Sequence, residues 1–115
     1  MPSEELVKLS LFGLSNIAAD SVYSATMILQ EDSLVYRLLF LLNHKTWPIR
    51  RECAFVFVNS INGADEQELR KFHTAYSKDY ISRLLSFLDS LADVQDASLI
   101  KDLLRAFSRL LNMDT

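Results

Sequence analysis

Cysteine, glycine, proline and tryptophan are all scarce in this chain of 115 residues, which holds one, two, two and one of them respectively. The single thiol, Cys53, cannot close an internal disulfide, so a disulfide-stapled scaffold is excluded, and a lone thiol inside an apolar run reads as a small buried core residue in a reducing compartment. Two glycines cannot build the glycine-rich loops that cradle phosphates. Basic residues are not in surplus: 12 Lys and Arg against 15 Asp and Glu give a net charge of −3. That balance gives no electrostatic support for nucleic-acid binding. Apolar runs such as Leu38–Leu42 fall far short of the ~20 residues of a membrane span. The start, Met-Pro-Ser-Glu-Glu, lacks a basic n-region and an apolar h-region, which predicts no secretory leader. His44 and His73 stand 29 residues apart, without metal-ligand spacing. Asp65, Glu66 and Glu68 cluster where a helix should start, and the helix dipole accounts for them. Asp89, Asp93 and Asp96 bracket an expected loop. The expectation is a soluble intracellular protein without cofactor, metal or enzymatic activity.

What the chain does have is apolar residues, half of its length, at helical spacing. Ser3 should cap a helix that carries Glu4 and Glu5 in its first turn and fades near Asp20. A short helix follows over Ser21–Gln30. A third, Leu34–Leu42, with Ser33 as its cap, is apolar nearly all round and therefore buried. Pro48 suits the first turn of a fourth helix, which Asn62-Gly63 should end in a left-handed cap. The pattern then predicts helices over Asp65–Tyr76, Asp79–Leu91 and Asp96–Asn112. Long, short and medium helices thus alternate with a period near 43 residues, in the ~40–47 range of armadillo repeats. The fold class expected is all-α: an armadillo-type right-handed helical solenoid of two to three repeats forming one domain. Residues 1–20 would supply the third helix of a partial repeat, 21–63 a full repeat and 64–115 a closing repeat.

Within that period one pair recurs. Phe12 and Asn16, then Phe55 and Asn59, repeat after 43 residues, and four residues is about one helical turn, so each pair shares a helix face. An Asn amide carries both a donor and an acceptor and can pair with the N–H and C=O of an extended peptide. Helices pack ~8–10 Å apart and an extended chain rises about 3.3 Å per residue, so one repeat spans roughly three peptide residues. The rings of Phe12 and Phe55 would flank channels for Lys or Arg stems, and Asp20, one turn beyond Asn16, could receive a lysine ammonium. Taken singly, a Phe at helical spacing is the pattern of a core residue and an Asn that of a local polar group; the repetition of the pair argues for function. Phe57 and Val58 fall off that face and read as core. Lys101, Arg105 and Arg109 form a basic stripe on the last helix, either a solvated face or a surface for an acidic partner.

Leu11-Phe12-Gly-Leu-Ser-Asn16-Ile-Ala-Ala-Asp20 resembles the third armadillo helix of the importin-α family, and Arg51-Glu-Cys-Ala-Phe55-Val-Phe-Val-Asn59 resembles the same helix one repeat later. Where that family carries tryptophan, this chain carries Phe12 and Phe55, and the aligned positions of the third unit are Arg105 and Arg109. Lys8 and Arg51 match basic positions of the family pattern. The resemblance covers essentially the whole chain, as the last repeats of such a protein. It implies a concave groove for an extended, basic segment of the nuclear-localisation type, a transport-factor partner, and residence in cytoplasm and nucleus. The rival expectation is a scaffold or assembly subunit that docks to a partner or self-associates through exposed repeat ends, since a solenoid cut mid-repeat leaves apolar faces uncovered.

Overall fold

Short polar residues and carboxylates open the helices. The computed structural model describes residues 3–91 and 96–113; Asp93 lies outside them. Ser3 Oγ accepts from Leu6 N at 3.1 Å and starts α1, Glu4–Asp20, with Glu4 and Glu5 in its first turn. Ser21 ends α1 in an extended conformation and caps α2, Val22–Gln30, by accepting from Ser24 N. α3 spans Asp32–Leu41, and α4 spans Trp47–Gly63 with Pro48 in its first turn. Asp65 accepts from Glu68 N to cap α5, Glu66–Ser90. Asp96 Oδ1 accepts from Leu99 N at the start of α6, Ala97–Met113. Six helices and no strand make up the described residues. None of these helices is long and apolar enough to cross a membrane.

Three helix ends differ from the sequence expectation. α3 starts at Asp32, so Ser33 lies in its first turn; the Ser33 hydroxyl donates to Glu31 Oε1 at 2.9 Å instead of capping. Asn62-Gly63 is not a left-handed cap: no described residue has positive φ, and the chain leaves the helix at Ala64 in an extended conformation. Gly63 serves close approach, because a Cβ there would meet Ala25 Cβ at 3.2 Å and Ala18 O at 3.5 Å. The two helices expected over Asp65–Tyr76 and Asp79–Leu91 are one helix of 25 residues. Ser77-Lys78-Asp79 contains neither glycine nor proline, and Leu69, Phe72, Tyr76, Tyr80, Leu84 and Phe87 continue one buried stripe straight through it.

α4 is the centre of the packing and touches every other helix. Ile49, Cys53, Val56, Phe57, Val58 and Ile61 are each at most 1% exposed, and a fully buried side chain of the Val, Ile or Phe kind contributes about 1.5–3 kcal/mol. α1 lies along one side of α4 and α6 along the other, and α1 and α6 make no close backbone approach to each other. α2, α3 and α5 pack together behind this row. Phe72 links the rings of Phe57, Tyr76 and Tyr80 with centroids 6.5, 5.4 and 4.8 Å away, and Trp47 stacks on Phe87 at 5.3 Å. The Cα radius of gyration is 13.2 Å, close to the about 13 Å of a globule of 100 residues.

The side-chain bonds between helices reveal their direction. Thr46 donates to Glu4 at the start of α1 and α4, and Asn59 donates to Ser15 O near their ends, so these neighbours run parallel. Arg51 with Asp96, and Arg109 with Ile61 O and Ala64 O, make α4 and α6 parallel in the same way. Tyr76 with Asp32, and Arg83 with Leu39 O, do so for α3 and α5. These bonds join residues 42 to 48 positions apart, bracketing the 43-residue spacing of the Phe–Asn pair. The bond from Cys53 Sγ to Leu38 O, across 15 residues, is a shorter-range tie between α4 and α3.

Candidate functional site

The row α1–α4–α6 carries the candidate binding residues named from the sequence: Phe12, Asn16, Asp20, Phe55, Asn59, Lys101, Arg105 and Arg109. α1 presents Phe12, 53% exposed, with Asn16 and Asp20 exposed one and two turns further on. These three keep free surface on one helix face.

On α4 the equivalent residues are already engaged. The Arg51 guanidinium lies 4.8 Å from the ring centroid of half-buried Phe55 and is held by Asp96 at 2.9 Å. A cation of the chain itself therefore occupies the ring that was expected to flank a channel for a ligand's Lys or Arg. Asn59 Nδ2 donates to Ser15 O on α1 at 3.0 Å, which leaves its Oδ1 as the group open to a ligand. Phe57 and Val58 are core, as their position off this face predicts.

The stripe on α6 divides as well. Lys101 and Arg105 are exposed, whereas Arg109 is half-buried and its guanidinium donates to Ile61 O at 2.6 Å and Ala64 O at 2.7 Å. Arg109 thus satisfies carbonyls at the C-terminal end of α4, where helix geometry leaves them without partners and the dipole favours a cation. Asn59 and Arg109 play one role at aligned positions: each reaches back to backbone carbonyls of the preceding helix in the row.

A hollow of about 360 Å³ opens beside the row, where the C-terminal ends of α1 and α4 meet α6. Asn59, Asn62, Asp102 and Arg105 are its polar lining, with Ser21 at the rim. Asn62 Nδ2 donates to Asp102 O at 3.1 Å, while its buried Oδ1 has no hydrogen-bond partner among the described residues. With Asp102 and the two Asn oxygens, the hollow offers acceptors to a donor such as an ammonium or a peptide N–H, and Arg105 bounds it on the α6 side.

Elsewhere the polar chemistry is internal. Cys53 is fully buried, its thiol donates to Leu38 O at 3.1 Å, and burial pushes its pKa up, which keeps it protonated and unreactive. His44 Nδ1 accepts from Thr46 N at 3.0 Å, and His73 pairs with the Tyr80 hydroxyl at 2.6 Å. Tyr76 donates to Asp32; that bond, with burial, pushes the phenol up to about 12. No group of three or more His, Cys, Asp or Glu among the described residues could hold a metal ion.

One surface went unread in the sequence. A groove of about 280 Å³ runs between α1 and α3, lined by Leu6, Ser10 and Leu14 on one wall and Leu34, Arg37 and Leu41 on the other. Its signal was available, since Leu6, Ser10 and Leu14 stand 43 residues before Ile49, Cys53 and Phe57. No protein-family model matches the chain, and no curated protein matches it in sequence.

Proposed function

We propose that this chain is a non-enzymatic protein-binding module, an armadillo-type right-handed solenoid of two to three repeats. The observation that carries the reading is the run of parallel neighbours, α1 with α4, α4 with α6 and α3 with α5, tied by side-chain bonds between residues 42 to 48 positions apart. Up-and-down bundles with short loops pair neighbours antiparallel. Parallel neighbours whose starts lie 43 (α1 to α4) and 50 (α4 to α6) residues apart are what a superhelix of stacked three-helix units produces.

Its ligand is an extended, basic segment laid across the row, as the likeness to importin-α implies, with nuclear protein import as the process and cytoplasm and nucleus as the places. Exposed Phe12, Asn16 and Asp20 on α1 support this, together with the acceptors of the hollow beside Asn59 and Asp102. Because Arg51 covers Phe55 and Ser15 O takes the Asn59 amide, the available contacts concentrate on α1 and affinity should be micromolar or weaker. Fluorescence anisotropy with a labelled lysine-rich peptide, beside an acidic control, tests the reading. Saturable binding of the basic peptide that disappears in Phe12→Ala/Asn16→Ala is expected; both side chains are exposed, so the fold survives their loss. No binding, or binding that the variant keeps, sinks it.

A second reading, a scaffold that docks through its first end, is favoured by a separate observation. Among the described residues, nine of the twelve large exposed apolar side chains, including Leu6, Leu9, Ile17, Tyr23 and Phe40, belong to α1, α2 and α3. α6, at the other end, exposes Leu104 and Leu111 but sets Lys101, Arg105 and Ser108 outward beside them.

A further inference from the structure

The groove between α1 and α3 has a filled counterpart inside the same chain. Ile49, Cys53 and Phe57 on α4 follow Leu6, Ser10 and Leu14 on α1 by 43 residues, and α3 packs against that part of α4. There Cys53 Sγ donates to Leu38 O of α3 at 3.1 Å, and Arg83 on the α5 wall donates to Leu39 O in the last turn of α3 at 2.5 Å. α3 and Leu42, the residue that caps its end, fill this place with Val35, Leu38, Leu39 and Leu42, all buried.

One repeat earlier the walls are present without the helix between them. Ser10, in the place of Cys53, is exposed and turns its hydroxyl back to Leu6 O of its own helix at 2.8 Å. Leu6 is more than half exposed. Among the described residues Arg37 is the one charged residue of the lining, and it sits on the α3 wall, as Arg83 sits on the α5 wall of the filled groove. Asn16 repeats the scheme at the end of the helix: Asn59 and Arg109 each bond carbonyls of the helix before theirs, and Asn16, at the first position of that series, is exposed.

We propose that the α1–α3 groove is a docking site for one amphipathic helix of another polypeptide, about as long as α3 with its 10 residues. Its leucine/valine stripe lies on Leu6, Ser10 and Leu14, and it carries a carboxylate opposite Arg37. The internal precedent sets the shape and apolar stripe, and the single cation of the lining sets the charge. The helix runs parallel to α3, the wall of its groove, because α3, which fills the next groove, runs parallel to that groove's wall, α5.

The test uses a labelled peptide that copies the Val35, Leu38, Leu39 and Leu42 stripe, with glutamates at the outward positions. Anisotropy on the full chain should show saturable binding. Ser10→Arg, which fills the groove from an exposed position, should weaken it by about tenfold or more, about 1.4 kcal/mol. Arg37→Glu should weaken it similarly and restore binding to the same peptide with lysines in place of the glutamates. The proposal is overturned by absent binding, by binding indifferent to both variants, or by a dimer in sedimentation that Ser10→Arg dissolves, which would make a second copy the occupant. The proposal rests on the repeat reading, which is checked separately by spin labels at Glu5→Cys and Pro48→Cys. A separation within about 20 Å, adjacent helices plus two label arms, keeps the repeat reading whatever the peptide does. A larger one removes the precedent itself, and the proposal with it.

Discussion

Arg105 and Arg109 stand one turn apart on α6 and have opposite fates. Arg105 projects beside the hollow, while Arg109 turns inward to the last carbonyls of α4. A charged hydrogen bond contributes about 1.5–3 kcal/mol, less where water can replace it, so Arg109→Ala should destabilise the fold by about 2 kcal/mol in urea unfolding. Arg105→Ala should stay within about 0.5 kcal/mol. Equal costs would refute the division of the stripe. Tyr76 gives a second residue-scale prediction. Its phenol is raised from 10.0 to about 12 in the folded state, chiefly by donating to Asp32. A raised pKa means the folded state holds the proton more tightly. The stabilisation is therefore complete below pH 10 and is lost as pH climbs towards 12. Tm should fall more steeply over that window in the native chain than in Tyr76→Phe, and parallel slopes would show that another group carries the alkaline transition.

At the scale of elements, α5 is the instructive case. The Ser77-Lys78-Asp79 segment looks like a joint because it is polar and ends in a good capping residue. Nothing in it disfavours helix, however, and the stripe from Leu69 to Phe87 keeps its phase across it. Lys78→Pro should accordingly cost about 3 kcal/mol or more, the penalty of proline in a helix interior. A loss below 1 kcal/mol would mean that two helices meet there. The helix ends that differ have similarly local causes. Asp32 begins α3 one residue ahead of Ser33, and at Gly63, still inside α4, the glycine leaves room for Ala25 and Ala18 rather than turning the chain.

For the molecule as a whole, the asymmetry between its ends is the main result. Exposed apolar patches of this kind mark interaction surfaces more often than chance exposure does. Leu9 and Ile17 lie outside the lining of the α1–α3 groove and are more than half exposed. Leu9→Glu/Ile17→Glu should leave Tm within a few degrees and flatten the concentration dependence of light scattering. Association undiminished by these charges would move the sticky surface elsewhere.

Helical content, the α4 core with Cys53, Phe57 and Val58, and the 43-residue recurrence of Phe12/Asn16 in Phe55/Asn59 were determined by the sequence alone. They depend on periodicity and propensity, which are local properties. Whether Asn59 and Phe55 are available to a ligand was decided only by the tertiary structure, because their neighbours Ser15 O and Arg51 come into play through packing of α4 on α1 and across a helical turn. The same holds for Arg109, whose position on a polar face is identical in pattern to that of Arg105. It holds for the α1–α3 groove too, since a vacancy between two helices exists only once both are in place.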